Sequence, residues 1–495
     1  MPQPLTAELG TLQTEVEDHA RSFDLDFFEI IYEVLDWEEI NEVAAYGGYP
    51  SRYPHWRFGM EYIELSRSYS YGLSKIYEMV INNDPTYAYL LAANHHVDQK
   101  LVMAHVCGHG DFFKNNFMFA HTNRKMLDEM ANHASRIRGY IARYGVDQVE
   151  TFIDRCLSLD NLIDYSSPRA AVSAPKAAPP AEDEEGRREP RRLRSKGYME
   201  EFINPPEALA IERERIARED AEPAPFPAQP TRDIMLFLLE HAPLRNWERD
   251  VLGMIREEAY YFAPQGRTKI MNEGWASYWH SRLMTERLLT PSELIDYADH
   301  HSGTMATSPG RLNPYKLGIE LWRDIEERWD RGRHGPEWED CDDFATKKDW
   351  DTGAMAGRDK IFQVRRLYND VTFIDEFLTP EFVRRHGLFT YEFDSRRGQY
   401  IVSDRDFLQV KEKLLFMLTN FGQPSIELTE ANYRNRGELL LRHRYEGIPL
   451  KIDQARETLE NIHHLWKRPV YLESYVDDAP AILGFDGEEH SLDPV

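Results

Sequence analysis

The sequence predicts a mainly α-helical protein, a large N-terminal and central helical domain followed by a smaller C-terminal α+β module. Three observations carry that expectation. Apolar residues recur at helical spacing through most of the first 390 positions, an Ala/Pro-rich charged tract interrupts them between Ser166 and Pro230, and short strand-like runs of Ile, Val, Leu and Tyr gather in the last third.

Taken in order, Leu5 to Trp37 reads as helical, with Phe27, Phe28, Ile31, Val34 and Leu35 spaced among acids. Gly47–Pro50 and Tyr53–Gly59 are loop signals whose aromatics either line a pocket or pin the loop to the core, packing being the favoured reading. Met60 to Ile81 reads as a further helix, ended by Asn82-Asn83-Asp84-Pro85, and another is expected from about Thr86. After a break at Asn94-His95-His96, helix resumes through Leu101 and Val102 into His105 and His109. Lys125 to Tyr144 is a long helix with Gly145 as its C-terminal cap, and Val146 to Leu162 is another.

The tract from Ser166 to Pro230 has little to bury, so a linker or mobile insertion is expected, with a polar helix inside it over Glu207 to Asp220. Helical pattern returns in Trp247 to Tyr261 and is expected to break at Ala263-Pro264-Gln265-Gly266. Thr268 opens a helix bearing Asn272, Glu273 and His280 that continues to about Leu288, and Asn313-Pro314 opens one that runs to Trp329. In the last third, Tyr400–Val402, Ser425–Leu428, Glu438–His443 and Val470–Leu472 read as strands, with helices at Phe407–Leu418 and Gln454–Trp466 between them. That order matches a ferredoxin-like module. The expected division is a helical first half at 1–165, the insertion at 166–230, a helical second half at 231–390, the α+β module at 391–476 and an acidic tail at 477–495.

Composition narrows the function. With 42% hydrophobic and 12% aromatic residues, a chain of this length buries a substantial core despite 29% charged residues. A net charge of -26 argues against nucleic-acid binding, which needs a positive surface, and against anionic membranes. Cys107, Cys156 and Cys341 are too few and too scattered for a disulfide framework. No stretch approaches the roughly 20 apolar residues that span a bilayer. A cytoplasmic protein is expected.

The chemistry concentrates in two stretches. On a helix, His105 and His109 in Ala104-His105-Val106-Cys107-Gly108-His109-Gly110-Asp111 lie one turn apart on one face, a spacing that lets two imidazoles share an ion. Glu273, in Met271-Asn272-Glu273-Gly274-Trp275-Ala276, offers the carboxylate such a pair most often takes. The predicted ligand set is therefore His105, His109 and Glu273, holding a divalent metal, zinc first and iron second. Gly108 would leave the helix surface open beside the pair, and Asp111 could orient one imidazole. His280, two turns beyond Glu273, is a fourth ligand, a proton shuttle or a hydrogen-bonded core residue.

In the His-Glu-x-x-His arrangement the residue after the first histidine is the general base, and here it is Val106. Glu257, Glu258, Asp111 and His301 are the candidate substitutes, since a base needs only hydrogen-bond reach. Tyr315 and the His300-His301-Ser302-Gly303 segment offer oxyanion donors.

These words, together with Arg256-Glu257-Glu258-Ala259-Tyr260-Tyr261-Phe262 and Asn313-Pro314-Tyr315-Lys316-Leu317-Gly318, resemble the SpoVR family, the stage V sporulation protein R group, over most of the chain. The resemblance implies a link to spore cortex formation or stress response, and partnership with a PrkA-like serine kinase and a von Willebrand-type protein. The Asn272-Glu273 helix is also similar to the third-ligand helix of gluzincin metallopeptidases. A metal-dependent hydrolase of amide bonds, in peptides or cell-wall precursors, is the expected activity. A non-catalytic adaptor and a two-His-one-carboxylate iron enzyme are the alternatives.

Overall fold

A computed structural model describes residues 3–70, 78–165, 199–221, 226–307, 311–394 and 397–494. The chain is mainly helical with a C-terminal α+β part, and it divides into two compact units. One comprises Met1–Thr151 with Glu257–Gln423, the other Phe152–Arg256 with Pro424–Val495. Among the described residues, no helix is long and apolar enough to cross a membrane.

Three helices form the centre of the first unit. The histidine helix, His96–Asn115, is buried on every side through most of its length. The glutamate helix, Lys269–Leu283, is buried almost as completely, and a third helix, Pro314–Asp330, carries Tyr315 in its first turn. Their backbones approach unusually closely. A Cβ on Gly108 would lie 2.7 Å from Ala276 Cα, and one on Gly274 would lie 2.4 Å from Gly318 Cα. Glycine is required at these crossings because any side chain would force the helices apart. Gly108 therefore does not open a space beside the histidines, as the sequence suggested; it is filled by the glutamate helix.

The glutamate helix is also pinned at its start. Thr268 provides no side-chain cap, and the buried Asp370 accepts hydrogen bonds from the Ile270 and Met271 N–H groups, both at 2.9 Å. Two of the donors that every helix start leaves without partners are thus satisfied from a distant segment. The preceding helix, Asn246–Arg267, runs through Pro264 where a break was expected. The proline falls in the last turn, where its missing N–H removes one hydrogen bond, and Thr268 Oγ1 donates to the Pro264 carbonyl at 2.7 Å.

The first unit contains a sheet that the periodicity did not reveal. Its strand order is Gln3–Pro4, Ile30–Leu35, Thr86–Leu91, Glu78–Ile81, with the two central strands parallel and the outer pairings antiparallel. The expected helix over Leu5–Trp37 is a shorter helix, Ala7–Ser22, followed by a strand. The helix expected over Met60–Ile81 is Trp56–Ser70, with a strand at Glu78–Ile81, and residues 71–77 lie outside the described set. The element at Thr86 is a strand as well. Six-residue runs such as Ile-Ile-Tyr-Glu-Val-Leu and Thr-Tyr-Ala-Tyr-Leu-Leu are too short for period to separate helix from strand, and their β-branched and aromatic content favours the strand.

The second unit carries a five-stranded sheet in the order His490–Pro494, Ala479–Phe485, Val470–Val476, Glu438–His443, Ile426–Tyr433. Only Glu438–His443 and Val470–Val476 run parallel, and Ile452–Trp466 is the helix that connects them. This is not the ferredoxin-like arrangement. The strand expected first, at Tyr400–Val402, pairs instead with Thr390–Asp394 in a separate hairpin, and helix Phe407–Leu418 sinks Val410 and Leu414 into the core of the first unit. The C-terminal segment of the second unit accordingly starts at Pro424 rather than 391. The expected acidic tail at 477–495 contributes the last two strands. Its acids are turn formers: Asp477 and Asp478 adopt positive φ, and Asp486 accepts from the N–H groups of Glu488 and Glu489.

Within the tract read as an insertion, Glu200–Ile203 and Pro206–Ala221 are helical, the latter where a polar helix was expected, while residues 166–198 and 222–225 lie outside the described set.

Candidate metal centre

His105 and His109 stack one turn apart, their ring centroids 4.5 Å apart and nearly perpendicular. Each ring is held from behind through Nδ1. His109 Nδ1 lies 2.9 Å from Asn272 Oδ1, an oxygen that only accepts, so the proton of a neutral His109 sits on Nδ1 and its Nε2 keeps a lone pair. His105 Nδ1 lies 2.9 Å from His280 Nδ1, and His280 Nε2 in turn lies 3.2 Å from His301 Nδ1. Asn272 and His280 both belong to the glutamate helix, and with each Nδ1 engaged the two Nε2 atoms are left for a further side chain of that helix.

Glu273 meets them there. Its Oε2 is 3.6 Å from His105 Nε2 and 3.4 Å from His109 Nε2, and the three potential ligand atoms all lie within 4.8 Å of one another. Oε2 is buried and makes no hydrogen bond of ordinary geometry. Ligand atoms about 2.1 Å from a tetrahedral ion stand roughly 3.4 Å from each other, so the two nitrogen–oxygen separations match what one small divalent ion would need. The donor set of two imidazoles and a carboxylate suits zinc and also iron.

The electrostatics of the cluster are coupled. Burial alone would raise the Glu273 carboxyl, but the facing His105 and His109 imidazoles outweigh it and hold the group far below the usual carboxylate range. For His109, burial acts to lower the pKa and Glu273 reverses the direction, whereas His105 is lowered by burial and by its neighbour His109. His280 is driven well down by burial and by the surrounding imidazoles, so it is neutral at physiological pH.

The cluster opens into a cavity of about 470 Å³ lined by His109, Asn272, Glu273, Tyr315, Lys269 and Glu78, among others. The Tyr315 ring lies against His105; burial and the acids Glu273 and Glu78 keep its hydroxyl protonated. Glu78 is the functional candidate the sequence reading missed, because its segment passed for helix. Burial pushes its carboxyl up to about 7, with His109 opposing the shift and Glu273 adding to it. The one available signal was the β-rich Glu-Met-Val-Ile run just before the Asn-Asn-Asp-Pro turn.

The other expected site residues divide. His280 and His301 join the cluster through the hydrogen-bonded line behind His105. Glu257 and Glu258 do not line the cavity and belong to a separate network: Glu258 binds Arg52 at 2.7 Å and His133 at 3.0 Å, while Glu257 lies 3.6 Å from His133 and accepts from Asn123 at 3.3 Å. Asp111 orients no imidazole. It is fully buried and taken up by Arg365, the Trp275 indole and the Asp26 backbone. His300 pairs with Asp98.

Comparison with known proteins covers nearly the whole chain. The family described as SpoVR like protein matches residues 4–423, and the SpoVR-like C-terminal domain matches residues 424–477. The chain is 31% identical over 502 residues to a protein of Escherichia coli (strain K12) described as "Uncharacterized protein YcgB", covering 95% of this chain and 92% of that one. No solved structure matches. The junction between the two family matches, at residues 423 and 424, is also where the chain passes from the first unit into the second. With the histidine helix, the glutamate helix and the first three strands of the C-terminal sheet inside these matches, the chain belongs to the SpoVR family.

Proposed function

We propose that this protein is a metal-dependent hydrolase of amide bonds, in peptides or cell-wall precursors. The observation that carries the reading is the convergence of His105 Nε2, His109 Nε2 and Glu273 Oε2 at the base of a cavity that also holds a second carboxylate, Glu78. A divalent ion bound by those three atoms, zinc by preference, would supply Lewis-acid polarisation of an amide carbonyl.

The remaining roles follow from the side chains. Asn272 and His280 fix the two ligand rings, so the lone pairs stay aimed at the carboxylate. Glu78, with a carboxyl near neutrality, takes a proton from water and returns it to the leaving amine. This assigns to Glu78 the work that Val106 cannot do and that Glu257 and Glu258, held by Arg52 and His133, are not placed to do. Tyr315 stays protonated and donates to oxygen charge developing at the carbonyl. Any function through a PrkA-like kinase and a von Willebrand-type partner would be additional to this site.

The test is elemental analysis of protein purified without added metal, with turnover of muropeptides and a mixed peptide pool followed by mass spectrometry. Wild type should carry zinc near one equivalent, Glu273→Gln should lose it, and Glu78→Gln should keep it while losing roughly 10²–10⁴-fold in rate. Full metal retention in Glu273→Gln overturns the ligand set. Iron in place of zinc, with no amide cleavage, overturns the hydrolase in favour of a redox enzyme.

A further inference from the structure

A second cavity, of about 450 Å³, lies in the first unit on the other side of the turn that carries Tyr315. Tyr315 lines the metal cavity, whereas its neighbours Asn313, Lys316 and Leu317 line this one. The volume falls in the range of roughly 300–1,000 Å³ typical of small-molecule sites.

Its walls divide by chemistry. Leu317, Phe382, Val410 and Leu414 form an apolar floor, all of them under 10% exposed. Leu312 and Met417, 36% and 44% exposed, extend that apolar surface to the mouth. Around it stand three cations, Arg311, Lys316 and Lys413, against one acid, Glu320. Glu320 is already engaged, 3.7 Å from Lys316 and 3.4 Å from Arg323. Among the described residues, Arg311 and Lys413 make no ion pair. A chain with a net charge of -26 has acids in excess nearly everywhere, so a cavity edged by cations without matching carboxylates is a local reversal of its charge.

From this arrangement we infer that the second cavity binds a small anionic amphiphile, a free medium-chain carboxylate whose acyl body fills the apolar floor and whose head meets Arg311, Lys316 and Lys413. The lysine and arginine stems can cover the upper part of the chain while their charged ends meet the carboxylate. The inference does not rest on the metal centre and stands or falls separately from it.

Isothermal titration of the full-length protein with octanoate, against octan-1-ol as the neutral analogue of equal chain length, tests it. The expected result is 1:1 binding of octanoate, at least tenfold weaker binding of the alcohol, and at least tenfold loss of octanoate affinity in the double variant Arg311→Ser/Lys413→Ser. Both residues are exposed, so the variant should retain the wild-type circular dichroism and melting temperature. Absence of octanoate binding, equal affinity for the alcohol, or unchanged affinity in the double variant overturns the proposal. So does binding to vesicles of mixed neutral and anionic phospholipid that free octanoate does not displace, since the cations would then belong to a membrane-facing surface.

Discussion

Replacing Asp111 with asparagine should cost the first unit several kcal/mol, and the structure indicates why. Asp111 is fully buried, and its two oxygens accept from the Asp26 N–H at 2.8 Å, the Trp275 indole N–H at 2.8 Å, Arg365 Nη1 at 2.9 Å from each oxygen, and the Asn115 amide at a longer 3.5 Å. Arg365 is itself only 4% exposed. Burial pushes the Asp111 carboxyl up to about 6, with Arg365 and the two N–H donors opposing, so the group is ionised at neutral pH. Asparagine keeps the shape but turns one oxygen into a donor. One N–H then loses its acceptor, at about 1–3 kcal/mol, and a guanidinium is left in a dry site without its counter-charge. Breaking a buried ion pair by removing one partner costs about 3–5 kcal/mol, and that is the expected loss. Urea unfolding followed by tryptophan fluorescence and far-UV circular dichroism measures it. Adding Arg365→Met removes the stranded charge and should recover more than half of the loss. A cost below about 1 kcal/mol for Asp111→Asn, or no recovery in the double variant, would refute the view that this carboxylate holds the histidine helix in place.

Two further outcomes follow from the same structure. Gly274→Ala would bring a Cβ to 2.4 Å from Gly318 Cα, so the glutamate helix must shift; a loss of about 1–3 kcal/mol in unfolding free energy and weaker metal retention by the adjacent Glu273 are expected, and an unchanged melting temperature would contradict the close crossing. His133, although burial opposes it, is pushed up to about 9 by Glu257 and Glu258. Its folded pKa lies above the unfolded value, so its contribution is complete below about pH 6.5 and lost as pH rises through 9. The stability gap between wild type and His133→Gln should therefore be widest near pH 6 and narrow by pH 10, which urea midpoints across that range would show.

The helices of the first unit were legible because they are long, capped and periodic. Lys125–Tyr144 with its Gly145 cap and the Asn313-Pro314 helix start appear almost as read, and Asn313 accepts from the Lys316 N–H as an N-cap should. The N-terminal sheet was illegible for the opposite reason. Its strands are four to six residues long where they matter, and Thr86–Leu91 is apolar on both faces, so no alternation marks it. Losing that sheet also lost Glu78, and with it a carboxylate for the site. The Glu257-Glu258 pair offers a base by residue type alone, and the sequence has no signal for which way a helix turns those side chains.

The sequence by itself determined the family, the helical class, and the two helices that carry His105, His109 and Glu273, because those depend on local periodicity and on residue types at fixed spacing. Tertiary structure alone decided which faces of those helices meet. The crossing at Gly108 and Ala276, possible only without a side chain on Gly108, lets two imidazoles and a carboxylate more than 160 residues apart in sequence come within 3.4–3.6 Å. It also decided that Glu78 arrives from a strand while Glu257 and Glu258 pair with Arg52 and His133. Such pairings depend on the contact between elements rather than on the preferences of any one of them, and a single sequence has no local signal for that.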